Sequence, residues 1–266
     1  MNEKSLIARG RKSFVESEDR TDLDLQHDGQ YRVMPVDVAS LFAGSKQIDA
    51  AGAKDVSDIR VTTRKIAPGE FAFTVQIPST LNWSPDTGGI TNDLTSDLYA
   101  LRYGDSALRQ ASFAALRVAM NEAGAPSDSP VMVSGFSLGG ITAAAMAQDP
   151  QSFNIKQVVT AGSPIAGMDI PDSTNVISLE ASGDPIASLD GAANPERTNW
   201  HTLHREPSAL EGEASAQTVP SIERHDADRY AEMAAETPSL NGDEGVRSFL
   251  GDGSDLTVRD FYATRR

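Results

Sequence analysis

The stretch "VMVSGFSLGGITAAAMAQDP", residues 131–150, admits few folds. Its first part is apolar and β-prone and its last part is rich in helix-forming alanine, while between them Gly135, Gly139 and Gly140 surround one hydroxyl, Ser137. A chain that passes from strand to helix without a loop must turn sharply. Backbone then crosses backbone so closely that small residues are needed two before and two after the turn. Gly135-Phe136-Ser137-Leu138-Gly139 meets that requirement and holds the Ser137 hydroxyl out at the C-terminal end of the strand. The next amide, Leu138, opens the helix, where unpaired N–H groups and the helix dipole favour a developing negative charge. A glycine-rich turn whose serine merely caps a helix uses the same residue types; the strand before and the helix after argue instead for a nucleophile elbow.

The rest of the chain supplies the setting for such a turn. Residues 1–57 are polar and weakly patterned, with "ESEDRTDLDLQHDG" reading as a solvated segment and "VDVASLFAGSKQIDAAG" as a helix, so they are expected to form an N-terminal extension or cover. From residue 58 the rhythm changes. "DIRVTTRKI" and "EFAFTVQIP" alternate on either side of the turn "APGE", which predicts two adjacent strands. "DSALRQASFAALRVAMNEAGAP" has helical spacing with Gly124 as its stop. After the elbow come strands at "IKQVVTAG", "NVISLEA" and "TNWHTLHR", then a helix at "DADRYAEMAAE". Strands separated by helical segments predict an α/β domain over residues 58–266, with a mostly parallel sheet and helices on both faces.

A serine nucleophile needs a base, and the base needs an orienting acid. Four histidines are present. His27 lies in the polar N-terminal segment, and His201 and His204 fall in one strand, where they point to opposite faces. His204, near that strand's end, stays a rival to His225, which opens a helix past the last predicted strand. The acid is expected after a strand lying between serine and histidine. Asp184 follows "NVISLEA" in a Gly-Asp-Pro turn whose proline stiffens the loop; Asp169, Asp172 and Asp190 are alternatives.

Composition excludes other classes. Lys and Arg total 23 against 38 Asp and Glu, and the net charge of -15 repels nucleic-acid backbones and anionic lipid surfaces. There is no cysteine, hence no disulfide, thiolate metal site or cysteine nucleophile. No run approaches the length of a membrane span, and the first residues lack the apolar core of a secretory signal. The expectation is a cytoplasmic protein, or one exported by a route that reads another signal. The chemistry requires neither metal nor organic cofactor.

These residues together resemble the α/β-hydrolase superfamily and, within it, lipase-like serine esterases. "GFSLGG" looks like the lipase elbow, with Phe136 where histidine is common; "TAGSPIAG" and "GDPI" resemble the small-residue stretch and acid loop of fungal class 3 type lipases. The run through "SLEASGDPIASLDGAANPERTNW" to "RHDADRY" is also similar to uncharacterised actinobacterial α/β-hydrolases. "VQIPSTLNW" resembles the oxyanion strand end of such lipases, although Ser79 stands where glycine is usual. The resemblance implies a Ser137, Asp184, His225 triad, oxyanion donors at Leu138 and Thr80, and hydrolysis of a small-molecule or lipid ester. Phe136 and Trp83 would give the substrate site an apolar lining. An acyltransferase or thioesterase on the same fold, and a catalytically silent hydrolase serving as a binding or secretion module, are the other readings.

Overall fold

The computed structural model describes residues 14–19, 33–51, 57–80, 106–210, 213, 215 and 219–263. Eight strands form one sheet: β1 (Phe14–Asp19), β2 (Ser57–Ala67), β3 (Glu70–Ile77), β4 (Val131–Phe136), β5 (Ile155–Ala161), β6 (Asn175–Ala181), β7 (Trp200–Arg205) and β8 (Leu256–Ala263). Their spatial order is β1-β8-β2-β3-β4-β5-β6-β7. From β3 to β7 every neighbouring pair is parallel, whereas β1, β8, β2 and β3 pair antiparallel. This is an α/β fold with a parallel body and an antiparallel flank.

Side-chain alternation along the strands makes two cores. Phe73, Val75, Val131, Val133 and Val158 face α2 (Ala107–Ala123) and α3 (Leu138–Ala147). On the opposite face Ala72, Met132, Phe136, Val159 and Ala161 meet α1 (Val38–Ala51), α4 (Ala227–Ala235) and α6 (Glu244–Leu250). A short helix, α5 (Pro238–Asn241), joins α4 to α6. Helices therefore cover both faces, as the alternation of strand and helix patterns requires. α2 begins at Ser106, whose hydroxyl accepts from Arg109 N, and ends at left-handed Gly124, the expected stop.

Three features depart from the sequence reading. Glu16 to Asp19, expected as part of a solvated segment, lie in edge strand β1, paired with β8. "LTVRDFYA" is a strand that returns between β1 and β2, so His225 follows the parallel run and not the last strand of the chain. α6 was also not anticipated. β8 has a buried anchor. Asp260 pairs in register with Arg60, and the two wholly buried side chains form a two-pronged ion pair at 2.8 and 3.2 Å. Charges inside a strand break the hydrophobic alternation by which strands are recognised, and "LTVRDFYA" carries two adjacent ones.

Among the described residues no helix is long and apolar enough to cross a membrane. Nor do three or more of their His, Asp or Glu side chains gather as a group able to hold a metal ion.

Candidate active site

β4 ends at Phe136, α3 starts at Leu138, and Ser137 alone makes the turn. Its φ of 57° makes it the one non-glycine residue among those described with positive φ, a conformation that costs about 1–3 kcal/mol and persists where the surroundings enforce it. Those surroundings are backbone. A Cβ on Gly135 would lie 2.2 Å from the Gly139 carbonyl carbon, and one on Gly139 would lie 2.3 Å from the Ile77 carbonyl oxygen. β5 holds the turn from its other side: Ser137 N donates to Ala161 O at 2.9 Å, and Ser163 Oγ donates to Ser137 O at 2.8 Å.

His225 bridges Ser137 and Asp184. Its Nε2 lies 2.9 Å from Ser137 Oγ and its Nδ1 lies 2.8 Å from Asp184 Oδ2. A carboxylate only accepts, so Nδ1 carries the proton and Nε2 is left to accept from the serine hydroxyl. Ser137 is 4% exposed and Asp184 2%. His225 directly follows a 3-10 turn, Ser221–Arg224. Asp184 sits in the turn after β6, where its Oδ1 accepts from Ile186 N at 2.8 Å.

Tyr230, on α4 and wholly buried, completes this cluster; the sequence reading places it at the end of "RHDADRY" but gives it no role. Its hydroxyl donates to Asp184 Oδ2 at 2.6 Å and accepts from Ala181 N at 3.1 Å. Burial works to raise the Asp184 carboxyl, but the bond and charge of His225, the Tyr230 hydroxyl and the Ile186 amide outweigh it and hold the group below the usual carboxylate range. Burial, with the Asp184 charge beside it, drives the Tyr230 phenol well above its ordinary value, so it stays a donor. The only available signal was helical spacing: Tyr230 lies on the face of α4 shared by Ala227, Met233 and Ala234, which reads as core.

The other predicted residues distribute as follows. Phe136 is buried with its ring centroid 4.5 Å from the His225 imidazole and 5.7 Å from Tyr230, so it packs against both rings. Leu138 is the first residue of α3, where an N–H has no intrahelical acceptor. Thr80 is buried three residues beyond Ile77, which pairs with Gly135 of β4, so the chain leaves β3 beside the elbow. Trp83 and His27 lie outside the described residues. His201 and His204 are exposed on edge strand β7, and His204 faces Glu180 across the pair β6–β7. Of the acid alternatives, Asp190 accepts from Ala166 N, Asp172 sits 3.5 Å from Arg197, and none shares a bond with His225.

Two arginines of "RHDADRY", to which the sequence reading gives no role, brace the chain around His225. Arg224 donates to Ser182 O at 3.2 Å, beside the acid turn. Arg229, 3% exposed, donates to Glu223 O and Ser208 O and forms a two-pronged pair with Glu213, fastening the loop after β7 at three points. The guanidinium holds the Glu213 carboxyl down to about 2.

No family model and no curated protein sequence matches the chain. Among solved structures it is similar to the Lip2 lipase from Yarrowia lipolytica, at 14% identity and a TM-score of 0.28, over 57% of this chain and 60% of that one.

Proposed function

We propose that the chain is a serine hydrolase of carboxylic esters. The observation that carries this reading is the His225 ring, which spans Ser137 Oγ and Asp184 Oδ2 at 2.9 and 2.8 Å. In the reaction Nε2 takes the Ser137 proton as Oγ attacks the ester carbonyl. The tetrahedral oxyanion is received by the Leu138 and Thr80 amides, donors of a kind worth about 3–4 kcal/mol each. His225, now an imidazolium stabilised by Asp184, gives its proton to the departing alkoxide and leaves an acyl-Ser137. Water, deprotonated by the same nitrogen, then releases the acid.

Asp184 acts by fixing the tautomer, and Tyr230 and Ile186 N fix Asp184. Ser137 is presented from a strained turn, so little rearrangement is needed before attack. On this reading the acyl site is apolar and favours neutral acyl groups over anionic ones. Each buried methylene adds about 0.8 kcal/mol of binding, so kcat/KM rises with acyl length until the pocket is filled.

The test is hydrolysis of neutral p-nitrophenyl esters of graded chain length beside an ester with a terminal carboxylate. The expected result is turnover that climbs with length, favours the neutral esters and vanishes in Ser137→Ala. A folded protein that hydrolyses none of them would contradict the reading.

A further inference from the structure

α1 comes from the part of the chain that precedes the parallel sheet, yet it reaches the elbow's neighbourhood through one side chain. Asp49 spends both carboxylate oxygens on a single residue: Oδ1 accepts from Ser79 N at 2.8 Å and Oδ2 from Ser79 Oγ at 2.6 Å. Ser79 lies directly before Thr80. On its other side the same loop is pressed against the elbow, since the Ile77 and Pro78 carbonyl oxygens stand where a Cβ on Gly139 would have to go.

A residue held at both its amide and its hydroxyl has its Cα frame fixed. The planar peptide that follows it carries the Thr80 N–H, and its direction is then left to a single rotation, the Ser79 ψ. α1 is itself anchored at both ends of the site: Gln76 Nε2 of β3 donates to Leu41 O at 3.1 Å, and Lys46 lies 3.4 Å from Asp226, the residue after His225. Burial pushes the Asp49 carboxyl up to about 6, against the pull of the two Ser79 bonds. Around neutral pH it is therefore ionised, with both oxygens free to accept.

We propose that Asp49 is a positioning residue that clamps Ser79 and thereby aims the Thr80 amide at the oxyanion. The proposal rests on the acyl-serine reading above. It assigns to α1 a part in the rate of the reaction as well as in covering the sheet. Because the clamp acts on a group used only when negative charge develops, its loss lowers kcat and spares KM.

The experiment compares Asp49→Asn, Asp49→Ala, Ser79→Ala and the double alanine variant with the wild-type protein on one neutral ester, with circular dichroism and thermal melting on each. The inhibition constant of a trifluoromethyl ketone, which forms an anionic adduct on the serine, is measured alongside. Expected are a fall in kcat of about tenfold to a hundredfold, KM within about twofold, a parallel weakening of the ketone, and a double variant no slower than Asp49→Ala. Asp49→Asn keeps the side chain's size and carries the test if Asp49→Ala melts too low. Rates within about twofold of wild type, a loss confined to KM, or a loss that merely follows the unfolded fraction overturns the proposal. A wild-type protein without Ser137-dependent turnover would instead be a failure of the acyl-serine reading.

Discussion

At the scale of single residues, Asp184 is defined by what it accepts. His225 Nδ1 and the Tyr230 hydroxyl share one oxygen and Ile186 N takes the other. Tyr230→Phe removes a hydrogen bond to a charged group and leaves Ala181 N without the hydroxyl it donates to, so a loss of about 1.5–3 kcal/mol in stability is expected. It also withdraws one of the influences that hold the carboxyl low. A lowered carboxylate contributes stability in full above its unfolded value and loses it as pH falls through the folded one. With phenylalanine the folded value moves back up, so acid unfolding of the variant begins at higher pH than in the wild type. Melting curves between pH 3 and 7 check this, and coincident acid limbs would show that the phenol does not act on the acid. The same cluster explains what the sequence can and cannot reveal. Ser137, Asp184 and His225 stand in turns whose chemistry is local, whereas Tyr230 sits on a core face among alanines and methionine. Nothing in its own neighbourhood distinguishes a phenol that bonds the acid from one that only packs.

At the scale of elements, the end of β5 decides where the His225 ring can stand. Gly162 has a φ of 59°, and a Cβ there would lie 3.0 Å from Phe136 Cε2 and 3.1 Å from the His225 ring. Gly162→Ala therefore strains the backbone and presses on the imidazole at once. A misplacement of about 1 Å is worth roughly a hundredfold in rate, so kcat is expected to fall by that order while stability drops only as a left-handed alanine requires, about 1–2 kcal/mol. Steady-state kinetics beside thermal melting separates the two effects; a variant that loses stability but keeps its rate would remove the steric argument. The parallel strands β3 to β7 and helices α2, α3 and α4 were legible because each keeps one periodicity between clear stops. β1 and β8 were not: "FVESED" and "LTVRDFYA" carry charges where a strand reading needs apolar residues, and their pairing spans nearly the whole chain.

At the scale of the whole molecule, the antiparallel flank closes the sheet through the buried Arg60–Asp260 pair, which joins chain beginning near the first helix to chain near the C-terminus. Removing one partner leaves a buried charge unmatched, which typically costs about 3–5 kcal/mol. Arg60→Met is thus expected to lower the unfolding free energy by that amount, seen as a lower urea midpoint, and a change under about 1 kcal/mol in urea titration would mean that the pair is dispensable. The flank lies beyond β3, away from Ser137, Asp184 and His225, so on the proposed reading the folded fraction of that variant should keep its turnover. The claim on which everything else depends is narrower: that Ser137 is an activated nucleophile. Its most direct measurement is labelling of the native protein by a fluorophosphonate, followed by peptide mapping of the adduct. The account predicts one adduct per chain, located on Ser137 and abolished by His225→Ala, while His204→Ala labels as the wild type does. An unlabelled native protein, or an adduct on another residue, would contradict it.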